Sequence, residues 1–108
     1  MSKNEPSYEL EGRELIAEAP GLRVQILTVG PGQCVPWHRH TSITDTFFCL
    51  EGPVVITTRE PDAEVRLMPG DRAVVPPPQP HRVAPADGAR CRFLLVQGVG
   101  EYDYLPEP

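Results

Sequence analysis

No stretch of this 108-residue chain approaches the roughly 18 consecutive apolar residues of a membrane-crossing helix. The segment from Met1 to Leu15 is mostly polar and lacks the apolar centre of a secretory signal. Positive charge is also scarce: ten Lys and Arg against fifteen Asp and Glu give a formal charge of −5. The arginines at 59, 66, 72, 82, 90 and 92 are scattered among acids. A nucleic-acid partner needs a clustered basic face, so that class is excluded. Cysteine is limited to Cys34, Cys49 and Cys91. An odd, widely spaced set without an export signal points to reduced thiols in a cytoplasmic protein, not to a disulfide framework. Serine occurs only at Ser2, Ser7 and Ser42, which leaves no nucleophile elbow. Helical signals are nearly missing too; only residues 8–19 briefly imitate a helical period.

What the chain has in quantity is punctuation. Fourteen prolines and nine glycines separate short runs rich in Val, Ile, Phe and Thr, and 40% hydrophobic residues suffice for a folded domain. The runs read as strands at 22–29, 34–38, 44–50, 54–59, 64–67, 73–75, 81–84 and 90–97. About eight short strands at this spacing predict an all-β sandwich or barrel. The length fits a single domain over 1–108, with a core at about 20–98, an N-terminal arm and a short C-terminal tail. Gly30-Pro31-Gly32 and Gly98-Val99-Gly100 are turn glycines, since no helix follows either to make a phosphate loop.

Alternation is legible in several runs. In the stretch from Arg90 to Leu95, Arg90 and Arg92 share one face, while Cys91, Phe93 and Leu95 share the other. Around Phe47-Phe48 and Phe93 to Val96, both faces are apolar, more than the interior of one small barrel absorbs. That surplus predicts a homodimer. The segment up to Ala19 is a candidate to add a strand to the partner's sheet.

Histidine is scarce and its placement is informative. All three, His38, His40 and His81, fall in two strand-like segments. Residues at i and i+2 of a strand point to one face, so His38 and His40 project together. Two imidazoles on one face need one or two further donors to hold an ion, and His81 and Asp45 are placed to supply them.

Gly32-x5-His38-x-His40-x4-Asp45-x6-Gly52, followed by Gly70-x5-Pro76-x4-His81, resembles the two signature motifs of the cupin superfamily. The two motifs and the strands between them cover roughly residues 21–96. The resemblance implies a double-stranded β-helix, a jelly-roll β-barrel, with a divalent metal held by His38, His40, Asp45 and His81. Three departures stand out. Asp45 replaces the usual glutamate, which brings its carboxylate about 1.5 Å nearer the backbone. Direct ligation after a small strand shift, ligation through a water, and orientation of an imidazole N–H are all open to it. Pro78 and Pro85 replace a glycine and an asparagine of the second motif.

Other residues have narrower expectations. Cys34 lies on the face of His38 and is a weaker ligand candidate, whereas Cys49 and Cys91 read as core. Phe47 and Phe93 should wall the cavity, and Trp37 should pack outside it. Such a site suits iron, manganese, nickel or zinc. Two functions follow. One is a metal-dependent enzyme acting on a small oxygen-bearing molecule as an oxygenase, isomerase, cyclase or lyase. The other is a non-catalytic module that binds a metal or small ligand. An enzyme needs a further acid, base or anchor, and Gln25, Thr57, Gln79 and Arg82 are the candidates.

Overall fold

The computed structural model describes residues 8–108. Ten strands run in chain order: β1 (Gly12–Ala19), β2 (Leu22–Val29), β3 (Val35–Arg39), β4 (Thr44–Glu51), β5 (Val54–Thr58), β6 (Ala63–Leu67), β7 (Arg72–Val75), β8 (His81–Pro85), β9 (Cys91–Gly98) and β10 (Leu105–Pro106). They form two five-stranded sheets, ordered β1-β2-β9-β4-β7 and β10-β3-β8-β5-β6, with every pairing antiparallel. The described residues contain no helix, and hence none long and apolar enough to cross a membrane.

The eight strands read from sequence are all present, each end within one residue of its expected place. Two more extend the sheets. Residues 12–19 are not helical. The link through Pro20 and Gly21, with Gly21 at φ +78°, folds β1 back onto β2 as a hairpin. β1 thereby extends its own chain's sheet as the new edge strand, and a bulge between Leu15 and Ala17 breaks its register. Residues 1–7 of the expected arm lie outside the described residues. The second addition, β10, pairs with β3 and brings the chain's tail back across the barrel.

The core lies between the sheets. Strand β9 alternates without a break, turning Cys91, Phe93, Leu95 and Gln97 inward. Its neighbour β4 turns Asp45, Phe47 and Cys49 inward. Phe47 and Phe93 meet at 5.4 Å between ring centroids, and Leu27, Ile56 and Val83 close around them. Burial of each phenylalanine contributes about 1.5–3 kcal/mol. Both inner rows end in a polar residue, Asp45 on β4 and Gln97 on β9, paired across the ladder. One end of the interior is therefore apolar and the other chemical.

Among the described residues, the opposite face of this sheet carries a row of apolar side chains. Ile26 and Phe48 both pair with Leu94, and Val24 pairs with Val96. These five side chains are half-buried on the outside of the molecule.

Candidate metal centre

Four side chains converge at the polar end. His38 on β3 pairs directly with His81 on β8. A register shift between Val35 and His38, in a strand interrupted by Pro36, lets these two face the same space. His40 follows just past the end of β3. Asp45 comes from the facing sheet. The four are buried, none more than 3% exposed, and one ligand atom from each lies within 4.8 Å of all the others.

The outward nitrogen of every imidazole is tied to a backbone carbonyl. Nδ1 of His38 donates to Pro36 at 2.7 Å, Nδ1 of His40 to Asp103, and Nδ1 of His81 to Gln79 at 3.0 Å. A carbonyl oxygen only accepts, so the proton of each neutral ring sits on Nδ1 and Nε2 keeps its lone pair. Asp45 Oδ2 lies 3.0 Å from the Nε2 atoms of both His40 and His81. Lone pairs facing a carboxylate at that distance require a cation among them. A proton meets that demand for one ring; a metal ion meets it for all the rings at once. About 3.0 Å is also the separation of neighbouring ligand atoms at right angles around an ion that each holds at about 2.1 Å. The donor set fits a divalent metal.

The electrostatics agree with that competition between proton and metal. Burial, with the neighbouring His81, pushes His38 down to about 3, so its ring stays neutral over the ordinary pH range. Burial also opposes charge on His40, but hydrogen bonding and attraction from Asp45 prevail and raise it. For Asp45, burial works against the carboxylate, and His40 and His81 more than reverse it, holding the group well below the usual range. Its second oxygen accepts from Gln97 Nε2 at 3.1 Å, and Gln97 Oε1 accepts from Gln25 Nε2 at 2.9 Å.

The tail covers the centre. Tyr104 stacks on His38 at 4.6 Å and 19°, and Tyr102 lies 5.7 Å from His40. Asp103, between them, also accepts the Thr41 N–H on its side chain at 2.9 Å. Beyond β10, Arg39 pairs with Glu107 at 2.9 Å, and the Glu107 N–H reaches the Trp37 carbonyl at 3.0 Å. Free space inside is about 30 Å³, room for one or two waters.

The structure thus gathers all four residues read from sequence. Cys34 is not part of the cluster, and Phe47 and Phe93 do wall the cavity. Trp37 packs outside, its ring 3.8 Å beneath the Arg59 guanidinium. Of the four polar candidates, Gln25 lines the cavity and Gln79 lends only its carbonyl. Thr57 and Arg82 pair with each other on the outer face. Sequence reasoning missed Gln97, although the alternation through Cys91, Phe93 and Leu95 reaches it two residues later. It also missed that all three tyrosines of the chain, Tyr8, Tyr102 and Tyr104, line the cavity.

Comparison with known proteins places this architecture. A family model described as a cupin domain matches residues 25–97. A conserved protein with a double-stranded β-helix domain from Klebsiella pneumoniae superposes with a TM-score of 0.77 at 24% identity, covering 96% of this chain and 90% of that one. The DMSP lyase DddQ from Ruegeria pomeroyi superposes at 0.72 with 22% identity, covering 88% of this chain but 50% of the lyase. An oxalate oxidase superposes at 0.70 with 13% identity, covering 80% of this chain and 46% of its own. The chain thus spans about half of each of these two enzymes. No curated protein matches it in sequence. The family match over most of the chain and the shared double-stranded β-helix lead to one assignment: the chain belongs to the cupin family.

Proposed function

We propose that this cupin is a metal-dependent enzyme acting on a small oxygen-bearing molecule, with one divalent transition ion held by His38, His40, Asp45 and His81. One observation carries the reading: three buried imidazoles, each held at Nδ1 by a backbone carbonyl, and the Asp45 carboxylate bring one ligand atom apiece within 4.8 Å of one another. Iron, manganese, nickel and zinc all suit such donors. Bound there, an ion supplies Lewis acidity toward an oxygen of the substrate. The chain's own residues do the rest. Gln25 and Gln97 hold the Asp45 carboxylate in one orientation. Phe47 and Phe93 exclude water from beneath the centre. Tyr104 and the tail cover it from above.

Two structural neighbours with named activities, a lyase and an oxidase, are compatible with an enzyme but differ in reaction. We place the protein in the cytoplasm as a homodimer, joined through the outer apolar face of β2, β9 and β4.

The test is elemental analysis of protein purified without chelator, joined to a turnover screen of small acids, alcohols and carbonyl compounds. Near-stoichiometric metal, lost in the His38→Ala, His40→Ala double variant, is the expected result. Equal metal in both proteins sinks the site. Ligand binding without turnover of any compound leaves the non-catalytic module as the function.

A further inference from the structure

The mouth of the cavity carries two arginines on the concave face of the β1-β2 hairpin. Arg13 on β1 pairs with Leu27, and Arg23 on β2 pairs with Gln97. Both partners are buried and inward-facing, and both arginines line the cavity that His38, His40 and Asp45 also line. Their situations differ. Arg23 is neutralised by Glu18 at 3.1 Å and lies 4.6 Å over the Tyr102 ring. Arg13 lies 4.9 Å over the Tyr8 ring and, among the described residues, has no carboxylate within 4.0 Å.

The charge count at this site runs against that of the whole chain. Three neutral imidazoles, one carboxylate and a divalent ion leave one positive charge inside, and Arg13 adds another at the mouth. The protein as a whole carries −5. A positive focus in a narrow, apolar-walled cavity of an acidic protein draws anions and repels cations. A guanidinium presents a planar fork that matches a carboxylate with two parallel hydrogen bonds. The phenol rings of Tyr8 and Tyr102 lie beneath the two guanidiniums and line the same cavity.

We propose that the substrate is a small organic acid whose carboxylate is bound by Arg13 at the mouth while a second oxygen points to the histidine cluster. This rests on the metal-site reading for its inner end and on Arg13 alone for its outer end.

The test measures binding of glycolate, 3-hydroxypropionate and 4-hydroxybutyrate, each beside its neutral amide, to metal-loaded and chelator-treated protein by calorimetry. Three lengths allow the reach between arginine and cluster to be found by experiment. At least one acid should bind metal-loaded protein about tenfold more tightly than its amide, and Arg13→Gln should bring that acid to the level of the amide. Arg13→Lys, which keeps the charge but loses the fork, should recover part of the difference. Arg13 is exposed, and an unchanged thermal melt of the variants shows that the fold is intact. The inference is overturned if no acid outbinds its amide, or if the advantage persists in Arg13→Gln. An Arg13-dependent preference in protein that never takes up metal would sink the metal reading and leave carboxylate binding by Arg13 standing. Metal uptake without acid preference would do the reverse.

Discussion

Asp45 and Gln97 are cross-strand partners in the β4–β9 ladder, and the Gln97 amide donates to the one carboxylate oxygen of Asp45 that does not face the histidines, at 3.1 Å. The pairing leaves Oδ2 as the oxygen turned toward the cluster. Groups that orient a ligand in this way typically account for 10- to 100-fold in metal affinity. Gln97→Leu should therefore weaken metal binding by at least about tenfold in competition with a chromogenic chelator. An affinity equal to that of the parent protein would show that the amide does not orient the carboxylate.

The tail acts on the same centre from the other side. The Asp103 carbonyl fixes the His40 ring, and Tyr104 covers His38. Termination after Gly100 removes both. The shortened chain should still fold, because the core lies between strands that precede the cut, but it should release its metal to EDTA at least about tenfold faster, the scale of a lost orienting contact. Equal release rates would mean that the tail neither covers the ion nor positions His40.

Acid should destabilise the metal-free protein in a particular window. His38 is held down to about 3 against an ordinary 6.5, so between those values the unfolded chain takes a proton that the folded chain refuses. Stability then rises with pH, by up to about 1.4 kcal/mol per pH unit for one proton. Asp45, also depressed, adds a loss only as pH falls below its unfolded value of 3.8. His40 is raised; its contribution is complete below 6.5 and is lost as pH climbs through its folded value. Thermal melts of chelator-treated protein should fall from pH 6 to pH 4, and His38→Asn should flatten that slope. A slope unchanged in the variant would place the effect elsewhere.

The outer apolar face predicts assembly. Val24, Ile26, Phe48, Leu94 and Val96 make a continuous patch across three strands, the kind of surface that soluble proteins seldom leave exposed. Light scattering should report about twice the 11.9 kDa chain mass, and Phe48→Glu should return the monomer. A parent protein that is already monomeric at micromolar concentration would refute the dimer.

Strand positions were legible because turn residues bracket nearly every run, and alternation fixed which face of β4 and β9 turns inward. The four cluster residues were legible because their spacing follows strand periodicity on two separate segments. β1 was harder to see: seven of its eight residues are exposed, so the sequence carries no clean two-residue alternation to mark a strand. The tail was hidden for another reason. Its two-residue strand is too short for any period, and its place over His38 follows from pairing with β3, a long-range contact that local pattern does not encode. Arg13 was passed over because only the hairpin pairing with Leu27 turns it toward the cavity.

The strap from Tyr102 to Pro106 follows all four cluster residues in chain order. A chain made from its N-terminus therefore presents its histidines and Asp45 before it has the strap to lay over them. Timing of exposure, as well as affinity, then governs which ion enters, because the ion present while the barrel is still open meets no barrier. Metal supplied during refolding should load faster than metal added to the finished fold, and removal of residues 101–108 should erase the difference. If both orders of addition load at one rate in the full chain, the strap opens too readily to exert such control.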